Sequence, residues 1–140
     1  VGFYIIIALS AIMSTVNTNT WRLIDTDIAP PAYTFAVDEA IIHARATGIV
    51  PNTLHLYRRN PPAVSIGYFQ SAYEDVNISA CTHLGIKIIR RISGGGAIYT
   101  DDKQLEYSVA LKGLECINND VIGSYRYISK PVVTTLNKFG

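Results

Sequence analysis

The sequence predicts an α+β domain with a mixed β-sheet flanked by helices. Three observations carry this expectation. Segments of helical and strand period follow one another in the order helix, strands, helix, strands, helix. Prolines and glycines punctuate their boundaries. No repeat, low-complexity run or linker interrupts residues 21–140. The composition agrees with one packed unit, or part of one: 49% of the 140 residues are hydrophobic and only 16% charged, which is too apolar for a disordered chain.

Taken in order, residues 21–25 form a short strand candidate, and residues 27–31, with Pro30 and Pro31, read as a turn. Thr34 is placed as an N-cap, with Phe35, Ala36, Ala40, Ile41 and Ala44 on one helical face and Gly48 as the stop. Residues 53–58 alternate, Leu54 and Leu56 opposite His55 and Tyr57. Pro61-Pro62 breaks the run, and residues 63–68 resume it as a second strand. Residues 75–84 read as a short helix ended by Gly85, and residues 86–91 are β-branched and strand-like. Residues 97–100 and 105–111 give two more strands, with Leu105, Tyr107, Val109 and Leu111 on one face of the second. The last helix is expected over 120–140, with Gly140 in the stop position and Pro131 predicting a kink or a helix start.

The first 13 residues carry no charge, and Arg22 is the first charged side chain. The stretch is shorter than the roughly 20 apolar residues that span a bilayer and lacks the basic region of a signal peptide. Three readings compete for this leader, residues 1–20: an over-long start with Met13 as the true initiator, an extra strand or helix, and a membrane anchor. The 12 Lys and Arg against 11 Asp and Glu leave a net charge of +1, so bulk charge makes no case for nucleic acid or an anionic membrane. Cys81 and Cys116 fit neither a disulfide framework nor a zinc motif, and a reduced, cytoplasmic compartment is expected. Cys81 reads as a core thiol. His43, His55 and His83 fall on different elements, without metal-ligand spacing. Asp38-Glu39 are neighbours on a helix and therefore diverge, which reads as a solvated edge.

The densest chemistry lies in residues 90–99. Gly94, Gly95 and Gly96 stand between two strand candidates, where backbone without Cβ atoms can take φ > 0 and let a ligand lie against it. Their N–H groups can form an anion-binding concavity. Arg90 and Arg91 immediately before them add fixed charge and bidentate geometry for phosphate or carboxylate. The pattern is neither a P-loop nor a dinucleotide fingerprint. Two readings stand: a phosphate or carboxylate cradle, and a glycine-rich bulge with solvated arginines. Gly67, inside a strand candidate, marks a bulge or a close backbone approach. Gln70 reads either as a ligand contact or as a polar strand end.

The order of motifs then becomes specific. Trp21-Arg22-Leu23-Ile24-Asp25, Ala36-Val37-Asp38-Glu39-Ala40 and Pro62-Ala63-Val64-Ser65-Ile66-Gly67-Tyr68-Phe69-Gln70 are followed by Val76-Asn77, Gly85-Ile86 and the run 90–101. Leu105-Glu106-Tyr107-Ser108-Val109 and a last helix with Ser129, Leu136 and Gly140 complete the series. Over residues 21–140 the chain resembles the N-terminal part of the catalytic domain of the lipoate-protein ligase A family. The resemblance implies an α+β fold like that of biotin and lipoate ligases and class II aminoacyl-tRNA synthetases. It implies a two-step reaction: lipoate and ATP, with Mg²⁺, give lipoyl-AMP and pyrophosphate. A lysine of a lipoyl carrier domain, from a 2-oxoacid dehydrogenase E2 or a glycine-cleavage H protein, then takes the acyl group.

On this resemblance Arg91, Gly94, Gly95, Gly96, Ala97, Ile98 and Tyr99 would bind ATP and the lipoyl-adenylate, and Gly67, Arg90 and Ser93 would line the acyl slot. No metal ligand is expected from the chain. The family's essential lysine lies beyond the position of Gly140, and Lys130 and Lys138 do not match it. Residues 21–140 are thus expected to be the N-terminal half of an incomplete domain, inactive alone. Two alternatives are an octanoyl or lipoyl transferase, and a non-catalytic fragment or a subunit whose site a second chain completes. The triple glycine favours the ligase, because octanoyltransferases of this group often carry arginine at the third glycine. Thr100 stands where the family often has histidine, Tyr68 where it often has arginine, and Glu106 where threonine or asparagine is usual.

Overall fold

The computed structural model describes residues 20–111 and 121–139. Residues 1–19 of the apolar leader, Cys116, Asp120 and Gly140 lie outside these. The first strand, β1 (Trp21–Ala29), runs parallel to β2 (Asn52–Arg59), with Trp21 opposite Asn52 and Asp25 opposite Leu56. The turn expected over 27–31 is instead an irregularity within β1: the register shifts between Asp25 and Ile28 and then resumes. Asp27 takes φ 49°, and its N–H donates to Asp25 Oδ1 at 2.9 Å. A short polar side chain bonding the local backbone lets the left-handed conformation occur without ending the strand.

Helix α1 (Pro31–Ala46) starts earlier than expected, with Pro30 as N-cap and Pro31 at the first helical position, where its fixed φ suits the helix. Thr34 is inside the helix, and its hydroxyl donates to the Pro31 carbonyl at 2.9 Å. The inward stripe is Pro31, Thr34, Asp38, Ile41 and Arg45; Ala36 and Ala40, placed on the apolar face from sequence, are exposed. The stop at Gly48 holds: the helix ends at Ala46, with Thr47 as C-cap.

β2 pairs on its other side, antiparallel, with β6 (Glu106–Ala110): Leu54 faces Val109, His55 faces Ser108, Leu56 faces Tyr107, and Tyr57 faces Glu106. The alternation read from sequence is present, but its more deeply buried face is the polar one. His55, Tyr57 and Arg59 are fully enclosed beneath α1, while Leu54 and Leu56 are half-buried on the opposite face. There Val109 and Leu111 pack with Ile128 of the last helix, α4 (Val121–Leu136), and with Leu54 and Tyr107. Pro131 sits inside α4, which does not begin there.

The single mixed sheet divides into two three-stranded ones, ordered β1-β2-β6 and β4-β3-β5. Pro61 and Pro62 offer no N–H to continue the ladder beyond β2, so β3 (Ala63–Ile66) opens a second sheet. It pairs parallel with β4 (Lys87–Arg90) and antiparallel with β5 (Ile98–Thr100). The helix expected over 75–84 is two short ones, α2 (Ala72–Asp75) and α3 (Ile78–His83). Asn77 separates them by capping α3, its Oδ1 accepting from the Ala80 N–H at 3.0 Å. Cys81 is buried, as read from sequence. No described helix is long and apolar enough to cross a membrane.

Candidate functional site

The loop from β4 to β5 holds the run singled out by sequence. Arg91 is buried beneath it, 3% exposed, whereas Gly94, Gly95, Gly96 and Ala97 are exposed. The Arg91 guanidinium donates to backbone carbonyls: Nε and Nη2 to Gly94 at 3.2 and 3.0 Å, Nη2 to Gly96 at 2.7 Å, and Nη1 to Ser65 at 2.9 Å. Arg91 thus ties the loop to β3. A planar trans peptide points its C=O and the following N–H in opposite directions. With the Gly94 and Gly96 carbonyls turned onto the buried guanidinium, the N–H groups of Gly95 and Ala97 point away from it, towards the open side.

Gly95 takes φ 99°, a conformation that favours glycine. A Cβ on Gly94 or Gly96 would meet nothing within 4 Å, so the loop's outer side is open beside both. Gly67 serves a close approach of backbone to backbone: a Cβ there would lie 2.1 Å from the Gly95 carbonyl oxygen. The turn after β3 is pinned to the same loop. Arg90 Nη1 donates to the Gly67, Tyr68 and Gln70 carbonyls at 3.0, 2.8 and 2.7 Å, and the Tyr68 N–H donates to Ser93 O at 2.9 Å. Gln70 Oε1 accepts from the Gly67 N–H at 2.9 Å, which closes the turn internally. Ile98 and Tyr99 enter β5 opposite Ser65 and Val64.

The structure therefore brings all ten sequence-picked residues together, with Arg90, Arg91, Ser93 and Gly67 as the frame and Gly94, Gly96 and Ala97 at its open surface. Elsewhere, a groove of about 1030 Å³ opens between the first sheet and α4, lined by Leu54, Leu56, Tyr107, Val109, Ile128 and Leu136 among others. None of Gly67, Arg90 and Ser93 lines it. Among the described residues no group of three or more His, Cys, Asp or Glu is placed to hold a metal ion.

A second polar cluster, between α1 and the first sheet, was not expected. Asp38, read from sequence as a solvated edge, is 3% exposed; only Glu39 beside it is exposed. Asp38 Oδ1 lies 2.8 Å from His55 Nδ1 and accepts from the Ser108 hydroxyl, and its Oδ2 accepts from the Tyr57 hydroxyl at 3.2 Å. His55 Nε2 reaches Thr26 Oγ1 at 3.0 Å. Next to it Arg59, fully buried, donates to Thr34, Thr100 and Tyr57 hydroxyls at 3.1, 3.0 and 3.3 Å. Its guanidinium lies 4.3 Å from the Phe35 ring centroid.

Glu106 Oε2 lies 3.0 Å from Arg59 Nη1, close enough to pair as charges, yet neither carboxylate oxygen has a well-aligned hydrogen-bond partner. Burial raises the Glu106 pKa to about 7, against the pull of Arg59 and the Thr100 hydroxyl. Burial, and then the neighbouring Asp38, raise the Tyr57 pKa, so the phenol keeps its proton. The available sequence signal for this cluster was the spacing of Thr34, Asp38, Ile41 and Arg45 along one helix face.

The fold has counterparts among known proteins. The chain belongs to the lipoyl protein ligase A/B catalytic domain family, whose family model matches residues 30–140. It is 41% identical over 122 residues to octanoyltransferase LipM of Kyrpidia tusciae, covering 86% of this chain and 44% of that protein. Among solved structures it is similar to lipoate-protein ligase A bound with ATP, at TM-score 0.75 and 32% identity, covering 85% of this chain and 47% of that one. A bi-partite lipoate protein ligase from Thermoplasma acidophilum, described with its E2 lipoyl domain, matches at TM-score 0.72 and 32% identity, over 83% and 44%. The chain thus spans less than half the length of each. The α+β architecture expected from sequence, with the single sheet corrected to two, is that of the lipoate-protein ligases.

Two predictions follow from this geometry. Gly67→Ala forces a methyl group onto the Gly95 carbonyl and should lower unfolding free energy by about 2–3 kcal/mol. Gly96→Ala, facing open space, should stay within about 1 kcal/mol. Urea denaturation of both variants compares them, and equal effects would contradict the close approach. Glu106 has a folded-state pKa above its ordinary 4.5, so the folded state binds its proton more tightly than the unfolded chain does. Stability must then fall as pH rises from 4.5 to about 7, relative to a Glu106→Gln variant, by on the order of 2–3 kcal/mol. Parallel stability–pH curves for the two proteins would show that the carboxyl binds its proton equally in both states.

Proposed function

We propose that the chain carries the adenylate-binding part of a lipoate-protein ligase, which activates lipoate with ATP and passes the acyl group to a lysine of a lipoyl carrier domain. One observation carries the reading: Arg91 turns two carbonyls inward, and so aims the Gly95 and Ala97 N–H groups at the open side of an exposed loop. Activation brings a carboxylate against an α-phosphate, two anions that repel. Oriented N–H dipoles above a buried positive charge offset that repulsion without reorganising as the bond forms.

In the first step a lipoate carboxylate oxygen bonds to the α-phosphorus and pyrophosphate leaves. In the second, the carrier lysine amine bonds to the acyl carbon, AMP leaves with the bridging oxygen, and the amine gives up a proton. Gly94 and Gly96 give the adenylate access to the backbone, and Tyr99, 45% exposed on β5, flanks it. The catalytic lysine is proposed to come from beyond Gly140 in the chain or from a partner subunit. The likeness to an ATP-bound ligase supports this reading.

A second reading has its own support. The octanoyltransferase LipM from Kyrpidia tusciae is 41% identical, and octanoyl transfer from a carrier needs no ATP. The same N–H groups would then face the oxyanion of a tetrahedral intermediate.

The two readings separate in one assay on the complete catalytic domain with its carrier. The ligase reading expects lipoate-dependent pyrophosphate release from ATP, falling roughly 100-fold or more in Arg91→Ala. Acyl transfer from octanoyl-carrier without ATP, and no pyrophosphate, would replace the ligase with the transferase. Unchanged pyrophosphate release in Arg91→Ala would remove the loop from the site.

A further inference from the structure

We propose that Arg59 and Glu106 form a positioning unit that locks the downstream end of the glycine loop to the first sheet. The loop has two ends. Arg91 fixes the upstream one through Ser65, Gly94 and Gly96. The downstream end passes through Ala97 into β5, and β5 ends at Thr100. Arg59 Nη1 donates to Thr100 Oγ1 at 3.0 Å, and the Arg59 N–H donates to the Asp101 carbonyl at 3.3 Å. Those bonds join β2 of the first sheet to β5 of the second, across the proline break that separates the sheets.

The other donors fix Arg59 itself. Nε goes to Thr34 of α1 and Nη2 to Tyr57 of β2, while Phe35 lies 4.3 Å from its guanidinium carbon. One rigid planar group thus touches α1, β2, β5 and β6. Glu106 on β6 places Oε2 3.0 Å from Nη1 of the fully buried guanidinium, so its carboxyl packs directly against the group. Glu106 therefore helps to fix Arg59 in place, and Arg59 holds Thr100. Neither lies on the open loop surface, so both act on the site through β5.

The consequence for catalysis rests on the glycine loop being the adenylate site; the locking itself does not. The test uses the complete protein and hydrogen–deuterium exchange without ligand. Thr100→Val keeps shape and removes the acceptor. Arg59→Met with Glu106→Leu removes both charges together, which avoids leaving one buried alone. In each, exchange of the β5 amides, residues 98–100, is expected to rise about tenfold while residues 53–57 and 107–110 keep their protection.

A non-hydrolysable lipoyl-adenylate analogue is expected to bind these variants about tenfold more weakly than wild type, measured at a temperature where circular dichroism shows all of them fully folded. Unchanged exchange across residues 98–100 in Thr100→Val overturns the proposal. Raised exchange there, with wild type itself failing to bind the analogue, upholds the locking and overturns the ligase reading instead.

Discussion

Burying a guanidinium costs several kcal/mol unless its N–H groups meet oxygens and its charge is balanced. The fold is organised around two arginines that meet this requirement differently. Arg91 is surrounded by backbone carbonyls from Ser65, Gly94 and Gly96, so the requirement is transferred to the loop, which must curl its carbonyls inward. The remaining features of the loop follow. Gly95 must take φ 99°, Gly67 must present no Cβ to the Gly95 oxygen, and Arg90 must gather the carbonyls of the turn that carries Gly67. The outward-facing N–H groups are thus the reverse side of an internal hydrogen-bonding demand.

Arg59 meets the same requirement with side chains: three hydroxyls, an aromatic face and a carboxylate. The partners come from separate elements, so the group acts as a joint between layers. Its neighbour, the Asp38 cluster, does likewise for α1, β2 and β6 through His55, Tyr57 and Ser108. The space between helix and first sheet is therefore held by directed polar bonds. The opposite face of that sheet is packed by Val109, Leu111 and Ile128 in the ordinary apolar way. Directed bonds tolerate less sliding than apolar packing does, and they lie on the side from which the helix meets the strands leading to the loop.

The sequence was most legible where chemistry is local. The position of every described strand, the glycine stop of α1, the buried Cys81 and the whole loop from Arg90 to Tyr99 could be read from neighbouring residues. Boundaries moved where a single residue had two uses. Thr34 looked like a cap and is an interior acceptor for Arg59, while Pro31 starts the helix. Asp27 looked like a turn and bends a strand that continues. Asp38 was misread for a deeper reason. A charged residue on a helix is solvated unless strands from elsewhere in the chain bring donors to it, and His55 and Ser108 lie 17 and 70 residues away. Glu106 stood out as unusual against the family pattern, but its meaning required Arg59 to be seen beside it.

The role of Arg91 also changes character between sequence and structure. Two adjacent arginines before three glycines suggest charges offered to an anion. In the structure Arg91 is buried among carbonyls, and Arg90, itself exposed, commits Nη1 to the carbonyls of the turn after β3. Charge and contact are then separate contributions: Arg91 supplies positive potential from below, and the peptide groups supply the donors. That separation explains how one loop can serve two chemistries. An acyl-adenylate needs neutralisation of a phosphate, whereas transfer from a carrier needs stabilisation of one oxyanion. Both require donors fixed in advance, and both are served by the same pair of N–H groups. The third glycine lies at the open side, where a Cβ meets nothing within 4 Å, so a long basic side chain could occupy that position without disturbing the frame. The choice between ATP and an acyl carrier is therefore made outside the frame, by what approaches its open face and by the nucleophile that meets it there.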